Sequence, residues 1–409
     1  MYLKKFIGMR ILILILLILF FFHLFLQTNF FPYQYVYTEW LISYEGGFVK
    51  RGLGGQIILE ITKIFKLKLE YATLIIQTLG YFIYFFFFYQ FIKKIKINFF
   101  WYLIIFTPLL LVYPLVVLEA LGRKDIFIIS FFLIFTFIKQ KSKHEIIYSF
   151  YIIFFISTLI HEITIFYIFH YLLIIFLKIN FLKKEKINIK NIFHILIFLF
   201  FLIFINIHLS KFVDLDKMVS TYAEYNIEVT TQSGAISWLK PSFASIMQGT
   251  LNAITLKSIF KYLIIYFLAF FPFIFFLKIK KNFNKYLNIK FITFISFLLL
   301  IPMHLLIYDW GRVAYISMNF FTIIIILMFQ NKMIDENFLK NKINILSTKR
   351  KIIFLILLCF IVCPKLLVTD NLVKVPYIKI ISKTLKEIIK LTKYEYDFRS
   401  FNNELKIKF

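Results

Sequence analysis

The chain has 409 residues, of which 61% are hydrophobic and 21% aromatic, and carries a formal net charge of +27. Mean hydropathy is +0.82, and apolar runs approach the ~20 residues that span a bilayer, which excludes an ordinary soluble domain and predicts a polytopic membrane protein. The excess lysine lies in clusters between those runs, so topology accounts for it and no nucleic-acid partner is expected.

Lys4, Lys5 and Arg10 precede an apolar stretch over 11–27. The pattern resembles a signal peptide, but no small-residue cleavage site follows, so it reads as a retained first helix with a cytoplasmic amino terminus. Further basic clusters at 93–96, 139–143, 178–190, 278–290 and 332–351 are expected on the same side. The apolar stretch between successive clusters is too long for one crossing. Residues 146–177, as a single helix rising about 1.5 Å per residue, would reach roughly 48 Å against a hydrocarbon core of about 30 Å.

Five hairpins follow, over 11–92, 99–138, 146–177, 192–277 and 291–330, with a last helix near 352–369. The expected fold class is therefore all-α, a polytopic transmembrane helical bundle of about 11 (10–12) helices with short amphipathic helices at the outer face. Residues 1–369 form a single transmembrane domain with outer loops at about 28–69, 119–125, 161–162, 210–257 and 309–316. The basic tail, 370–409, is expected at the membrane interface.

The first outer tip holds five of the chain's eleven glycines, within 46–55, beside Lys50 and Arg51. Glycine leaves backbone N–H groups open, and next to fixed positive charge they suit a phosphate. Gly46, Gly47, Gly52, Lys50 and Arg51 are thus candidate phosphate ligands. The second tip reads Glu119-Ala120-Leu121-Gly122-Arg123-Lys124-Asp125. The third is His161-Glu162, flanked by half-helices short enough to leave an ionisable pair at membrane depth, where it is costly unless used. The fourth, 210–257, is polar, and its Tyr222, Tyr225 and Trp238 could stack on pyranose faces as a lid or acceptor platform; the alternative is an amphipathic helix lying on the bilayer. The fifth is Asp309-Trp310-Gly311-Arg312.

Only six of the 48 basic residues are arginine, and Arg51, Arg123 and Arg312 each touch a glycine at an outer tip. The rigid guanidinium fork suits bidentate contact with phosphate or carboxylate. The expectation is that these three converge on one anionic ligand; the rival expectation is local pairing with Glu45, Asp125 and Asp309. The sequence has no HExxH, no second clustered histidine and no Asp-rich motif, so no metal and no cofactor is predicted. Cys359 and Cys363 lie four apart in an apolar run and read as packing residues.

The segment Tyr44-Glu45-Gly46-Gly47-Phe48-Val49-Lys50-Arg51-Gly52-Leu53, then Gly122-Arg123-Lys124-Asp125, His161-Glu162 and Asp309-Trp310-Gly311-Arg312, in that order, resemble bacterial membrane proteins of surface-polysaccharide synthesis. The resemblance is to Wzy-type repeat-unit polymerases and the exopolysaccharide polymerase group, and it covers most of 1–330. It implies transfer of a glycan from an undecaprenyl-pyrophosphate carrier to an acceptor sugar at the outer face of the inner membrane. The partners implied are a lipid-linked donor, a glycan acceptor and membrane lipid. The Gly-rich first loop departs from typical O-antigen polymerases. A C-type-fold glycosyltransferase using a polyprenyl-phosphate sugar is the nearest alternative; such enzymes carry an acidic residue in the first outer loop, to which Glu39 or Glu45 could correspond.

Both readings need cations for the departing phosphate and a base for the acceptor hydroxyl. Arg51, Arg123 and Arg312 are assigned the first role, then Lys50 and Lys124, with Trp310 at the substrate. Glu45, Glu162, Asp309 and His161 are the candidate catalytic groups. From other classes, a transporter or flippase would require inverted repeats that the sequence does not clearly show, and an acyltransferase would use His161 with a carboxylate to activate a hydroxyl.

Overall fold

A computed structural model describes residues 2–29, 34–182, 185, 189–208, 212–284, 288–361, 363–373 and 375–392. Among these residues all regular structure is helical, apart from isolated β-bridges that include the antiparallel pairs Ile279 with Ile334 and Pro364 with Leu372. Among the described residues, eight helices are long and apolar enough to cross a membrane: Met9–Thr28, Leu69–Ile92, Lys143–Ile160, Glu162–Phe181, Lys190–His208, Leu256–Phe276, Ile289–Leu306 and Trp310–Gln330. They correspond to the two arms of the expected hairpins at 11–92, 146–177, 192–277 and 291–330.

The eight fall short of the expected count of about 11 at two places, where the described helices are shorter. Over 99–138 the Phe99–Ile105 helix stops short of Pro108, Pro114 opens the brief turn Tyr113–Val116, and apolar helix resumes only at Asp125–Phe137. Proline lacks the N–H that helix continuation needs and disfavours helical backbone just before it. The Asp125–Phe137 helix is 13 residues long, or about 20 Å. The last expected crossing is the 14-residue helix Thr348–Ile361. The carboxy-terminal part of the tail, 393–409, lies outside the described residues, and so does the side chain of Cys359; Cys363 is buried with a free thiol.

The chain forms two compact units. The first takes its described residues from 1–87, 121–241 and 387–409, the second from 88–120 and 242–386. In the first, the short helix Gln34–Trp40, the helix Gly52–Phe65 and the segment 213–239 share a core that includes Trp40, Leu41, Ile42, Leu59, Tyr222 and Ile236. Tyr222 is fully buried and its hydroxyl donates to the carbonyl of Leu41. This corrects the expected acceptor platform: Tyr222 is a core residue and Tyr225 packs against the same core, while Trp238 is 42% exposed.

The glycines of the first loop allow close backbone approach, which is a different role from the open cradle expected of them. The Asp214 N–H donates to the Gly46 carbonyl at 2.8 Å, and a Cβ on Gly46 would overlap the Asp214 carbonyl. A Cβ on Gly52 would enter the Tyr44 ring, and one on Gly55 would enter the Ile42 carbonyl. The N–H groups of Gly47 and Gly52 already donate to the carbonyls of Tyr44 and Val49, at 2.9 and 3.2 Å. Gly55→Ala is expected to destabilise the protein by about 1–3 kcal/mol through overpacking, seen as a lower unfolding temperature in detergent; unchanged unfolding would show that the Ile42 backbone can yield.

In the second unit the Trp310–Gln330 helix is the most enclosed of the eight, with 89% of its apolar window buried. Phe321 meets Phe270 and Phe273 edge to face, and Tyr315 stacks on Tyr113 at 5.0 Å. The segment 363–373 crosses its amino terminus: Gly311 N–H donates to Leu366 O at 3.1 Å, and Lys261 Nζ donates to the carbonyls of Val368 and Asp370 at 2.6 Å each.

Candidate functional site

Four separate stretches of the first unit bring charged side chains together. The short Gln34–Trp40 helix supplies Glu39, the loop before Gly52–Phe65 supplies Arg51, the turn before Asp125–Phe137 supplies Arg123 and Lys124, and the break between two apolar helices supplies His161 and Glu162.

That break has a local cause. The Lys143–Ile160 helix ends at His161, whose backbone is extended, with φ −158° and ψ 119°. The His161 Nδ1 accepts from the Ile163 N–H at 3.3 Å, and Thr164 Oγ1 donates to the His161 carbonyl at 2.9 Å, so the side chains cap a fresh turn of 3-10 helix, Glu162–Tyr167. Gly122 shapes the second stretch. Its φ is +78°, its carbonyl accepts from Trp40 Nε1 at 2.6 Å and Gln77 Nε2 at 2.9 Å, and its N–H donates to the Tyr81 hydroxyl at 3.2 Å. These bonds fix the direction in which Arg123 and Lys124 leave the turn.

Glu39 lies at the bottom of the cluster with a fully buried side chain. One carboxylate oxygen is 3.9 Å from Arg51 and 3.5 Å from His161 Nε2; the other is 3.8 Å from Arg123 Nε and accepts the Lys124 backbone N–H at 3.3 Å. Arg123 is itself buried and stacks on Tyr35, its guanidinium carbon 4.6 Å from the ring centre. Above Glu39 the Arg51 fork grips Glu162: Nε lies 2.8 and 2.7 Å from the two carboxylate oxygens and the terminal nitrogen 2.5 Å from the first. This pair is the accessible lip of the cluster, with side chains 15% and 20% exposed. His161 Nδ1 is also 3.2 Å from Glu162, so each ring nitrogen faces a carboxylate.

Arg51 sits in the left-handed region, with φ 67° and ψ 6°, where a residue with a Cβ costs roughly 1–2 kcal/mol. It is held there at both ends: Lys124 Nζ donates to its carbonyl at 2.6 Å, and Glu162 holds its side chain. Burial works against the charge on Arg51, but Glu162, Tyr35 and Glu39 outweigh it and hold the guanidinium above its ordinary range. Burial pushes the Lys124 ammonium down to about 7 against the pull of Glu39. Lys50 is lowered by burial too, with Glu162 opposing.

Of the residues singled out in the sequence, the structure therefore brings Arg51, Arg123, Lys124, His161 and Glu162 into one cluster. Glu45 is elsewhere in the unit, at the surface: it accepts from Gln56 at 3.1 Å and Lys63 at 3.3 Å, and these bonds lower its pKa. Asp309, Trp310 and Arg312 belong to the second unit. There Arg312 lies 3.2 Å from Asp309, one helical turn away, which is the local pairing. Trp310 is 6% exposed, its indole N–H donating to the His304 carbonyl at 2.8 Å and its ring against Tyr262. Gly46, Gly47 and Gly52 serve packing and turns.

The residue that sequence reasoning left undecided is Glu39, weighed only as an alternative to Glu45. One signal pointed to it: a carboxylate in a short apolar stretch beside Trp40 needs cations from elsewhere. Among the described residues there is no group of three or more His, Cys, Asp or Glu side chains placed to hold a metal ion. Comparison with protein-family models, with curated proteins and with solved structures finds no match for this chain.

Proposed function

We propose that this chain is a membrane-embedded glycosyltransferase that takes a sugar or glycan from a polyprenyl-(pyro)phosphate carrier, at the extracytoplasmic face of a bacterial cytoplasmic membrane, in surface-polysaccharide synthesis. The observation that carries the reading is the Arg51 fork, closed on a carboxylate at the accessible lip, with Arg123 and Lys124 behind it. A carboxylate and a phosphate offer the same two-oxygen edge to a guanidinium. Glu162 thus occupies the seat that a donor phosphate would take.

The chemistry follows from an exchange. The donor phosphate replaces Glu162 on Arg51, and Glu162 is released beside His161 with oxygen lone pairs no longer filled by the guanidinium. As the bond between anomeric carbon and phosphate oxygen breaks, its electron pair stays on the phosphate, held by Arg51, Arg123 and Lys124. The acceptor hydroxyl oxygen bonds the anomeric carbon and its proton passes to Glu162, oriented by His161. The central place of Glu39 favours, as a second reading, a single-sugar transferase of the C-type fold, which carries an acid in the first outer loop.

The test is Arg51→Lys in purified protein reconstituted with a polyprenyl-phosphate-linked sugar. The charge remains and the fork is lost, so turnover is expected to fall about 100-fold while unfolding temperature stays near wild type. Full turnover in the variant would overturn phosphate clamping. Deleting the gene separates the two readings: surface glycan with single repeat units supports a polymerase, and a truncated unit supports a monosaccharide transferase.

A further inference from the structure

The helix Pro376–Thr392 presents three distinct stripes. One is docked: the Tyr377 hydroxyl donates to the carbonyl of Phe106 at 2.6 Å, and Ile380 is 6% exposed. A second stripe, at helical spacing, is Ile378, Ile381, Leu385, Ile388 and Ile389, each 42–61% exposed. A third carries Lys379, Lys383 and Lys386, at intervals of four and three residues. Glu387 is the only acidic residue in the helix.

At 17 residues the helix is about 25 Å long, and it is not one of the eight apolar enough to span. An aliphatic stripe beside a row of lysines, with only Ser382 and Thr384 as neutral polar residues at its edges, is the pattern of a helix lying in a membrane interface, apolar side toward the acyl chains and ammonium groups among headgroups. The same pattern fits a protein partner poorly, because interface cores are enriched in aromatic residues, Met and Arg and depleted in Lys. The exposed stripe here is wholly aliphatic.

We propose that the Pro376–Thr392 helix binds in the plane of a membrane surface rich in anionic lipid, with Ile378, Ile381, Leu385, Ile388 and Ile389 in the acyl boundary and Lys379, Lys383 and Lys386 on lipid phosphates. This is independent of the transferase reading and adds a lipid-composition dependence to it.

The full chain, carrying Leu385→Cys labelled with an environment-sensitive dye, would be reconstituted in nanodiscs of phosphatidylcholine alone or with about a quarter phosphatidylglycerol. Unlabelled wild type treated with the same dye controls for reaction at the native cysteines. Iodide quenching of the dye is expected to fall about threefold or more in the anionic discs, and K379Q/K383Q/K386Q should restore it, since glutamine keeps helix propensity and removes charge. Equal quenching in both disc types would overturn the proposal. So would protection that persists in the triple variant, or protection that depends on protein density in the disc, which would mark a second copy as the occupant.

Discussion

Glu39→Ala is expected to destabilise the protein by about 3–5 kcal/mol, because it leaves buried cations without their counter-charge. The Glu39 side chain is fully buried, and Arg51, Arg123 and His161 all lie within 3.9 Å of its oxygens. Removing it takes a carboxylate from beside Arg123, which is 1% exposed, and frees one support of a strained Arg51. Thermal unfolding in detergent, followed by tryptophan fluorescence, is a direct reporter, since Trp40 is the next residue in the chain and the Lys124 ammonium lies 5.3 Å from its ring centre. Glu39→Gln should recover part of the loss, keeping shape and one acceptor without the charge. Replacing both partners, Glu39→Leu with Arg123→Met, should cost less than Glu39→Ala alone, because a buried pair exchanged for apolar side chains is close to neutral. Wild-type unfolding in Glu39→Ala would mean that the cations relax to other carboxylates, and the view of Glu39 as the centre of the cluster would fall.

The second large effect is at Glu162. If its carboxylate holds the phosphate seat and later takes the proton, Glu162→Gln should separate the two roles. Binding of a short polyprenyl phosphate, such as farnesyl phosphate, should tighten about tenfold, since a neutral amide competes less well for the Arg51 fork. Turnover should fall about 100- to 10,000-fold, the usual loss when a general base is removed. Titration of the detergent-solubilised protein measures the first, and sugar transfer at saturating donor the second. Weaker phosphate binding in the variant would assign Glu162 to holding Arg51 in place, and retained turnover would remove it from the chemistry. His161 is the internal control: it touches both carboxylates at 3.2 and 3.5 Å, so its loss should impair turnover without the gain in phosphate affinity.

Much of this arrangement was legible in the chain before any fold was known. Helix breaks at His161 and near Asp309 follow from apolar stretches too long for one crossing, and the structure has extended backbone at His161 and separate helices on either side of 307–309. Arginine beside glycine marked Arg51 and Arg123 because the chain otherwise uses lysine. The glycines misled, since a run of them signals close backbone approach as readily as an open cradle, and only the position of the Ile42 and Asp214 carbonyls decides between the two.

What sequence alone determined was the local part: an all-helical chain, which stretches are long and apolar enough to cross a membrane, and where a costly charge interrupts them. Length and hydrophobicity are properties of contiguous residues, so they can be read without knowing the fold. Proline is local too, yet two of them in one apolar stretch turned an expected hairpin into short helices. Only tertiary structure decided that Glu39, and not Glu45, faces Arg51, that Arg123 stacks on Tyr35, and that Tyr222 belongs to the core. Those choices bring together residues up to 181 positions apart along the chain, from Leu41 to Tyr222. They depend on which backbone segments can approach one another, and on the cost of burying a carboxylate unless several distant cations arrive with it.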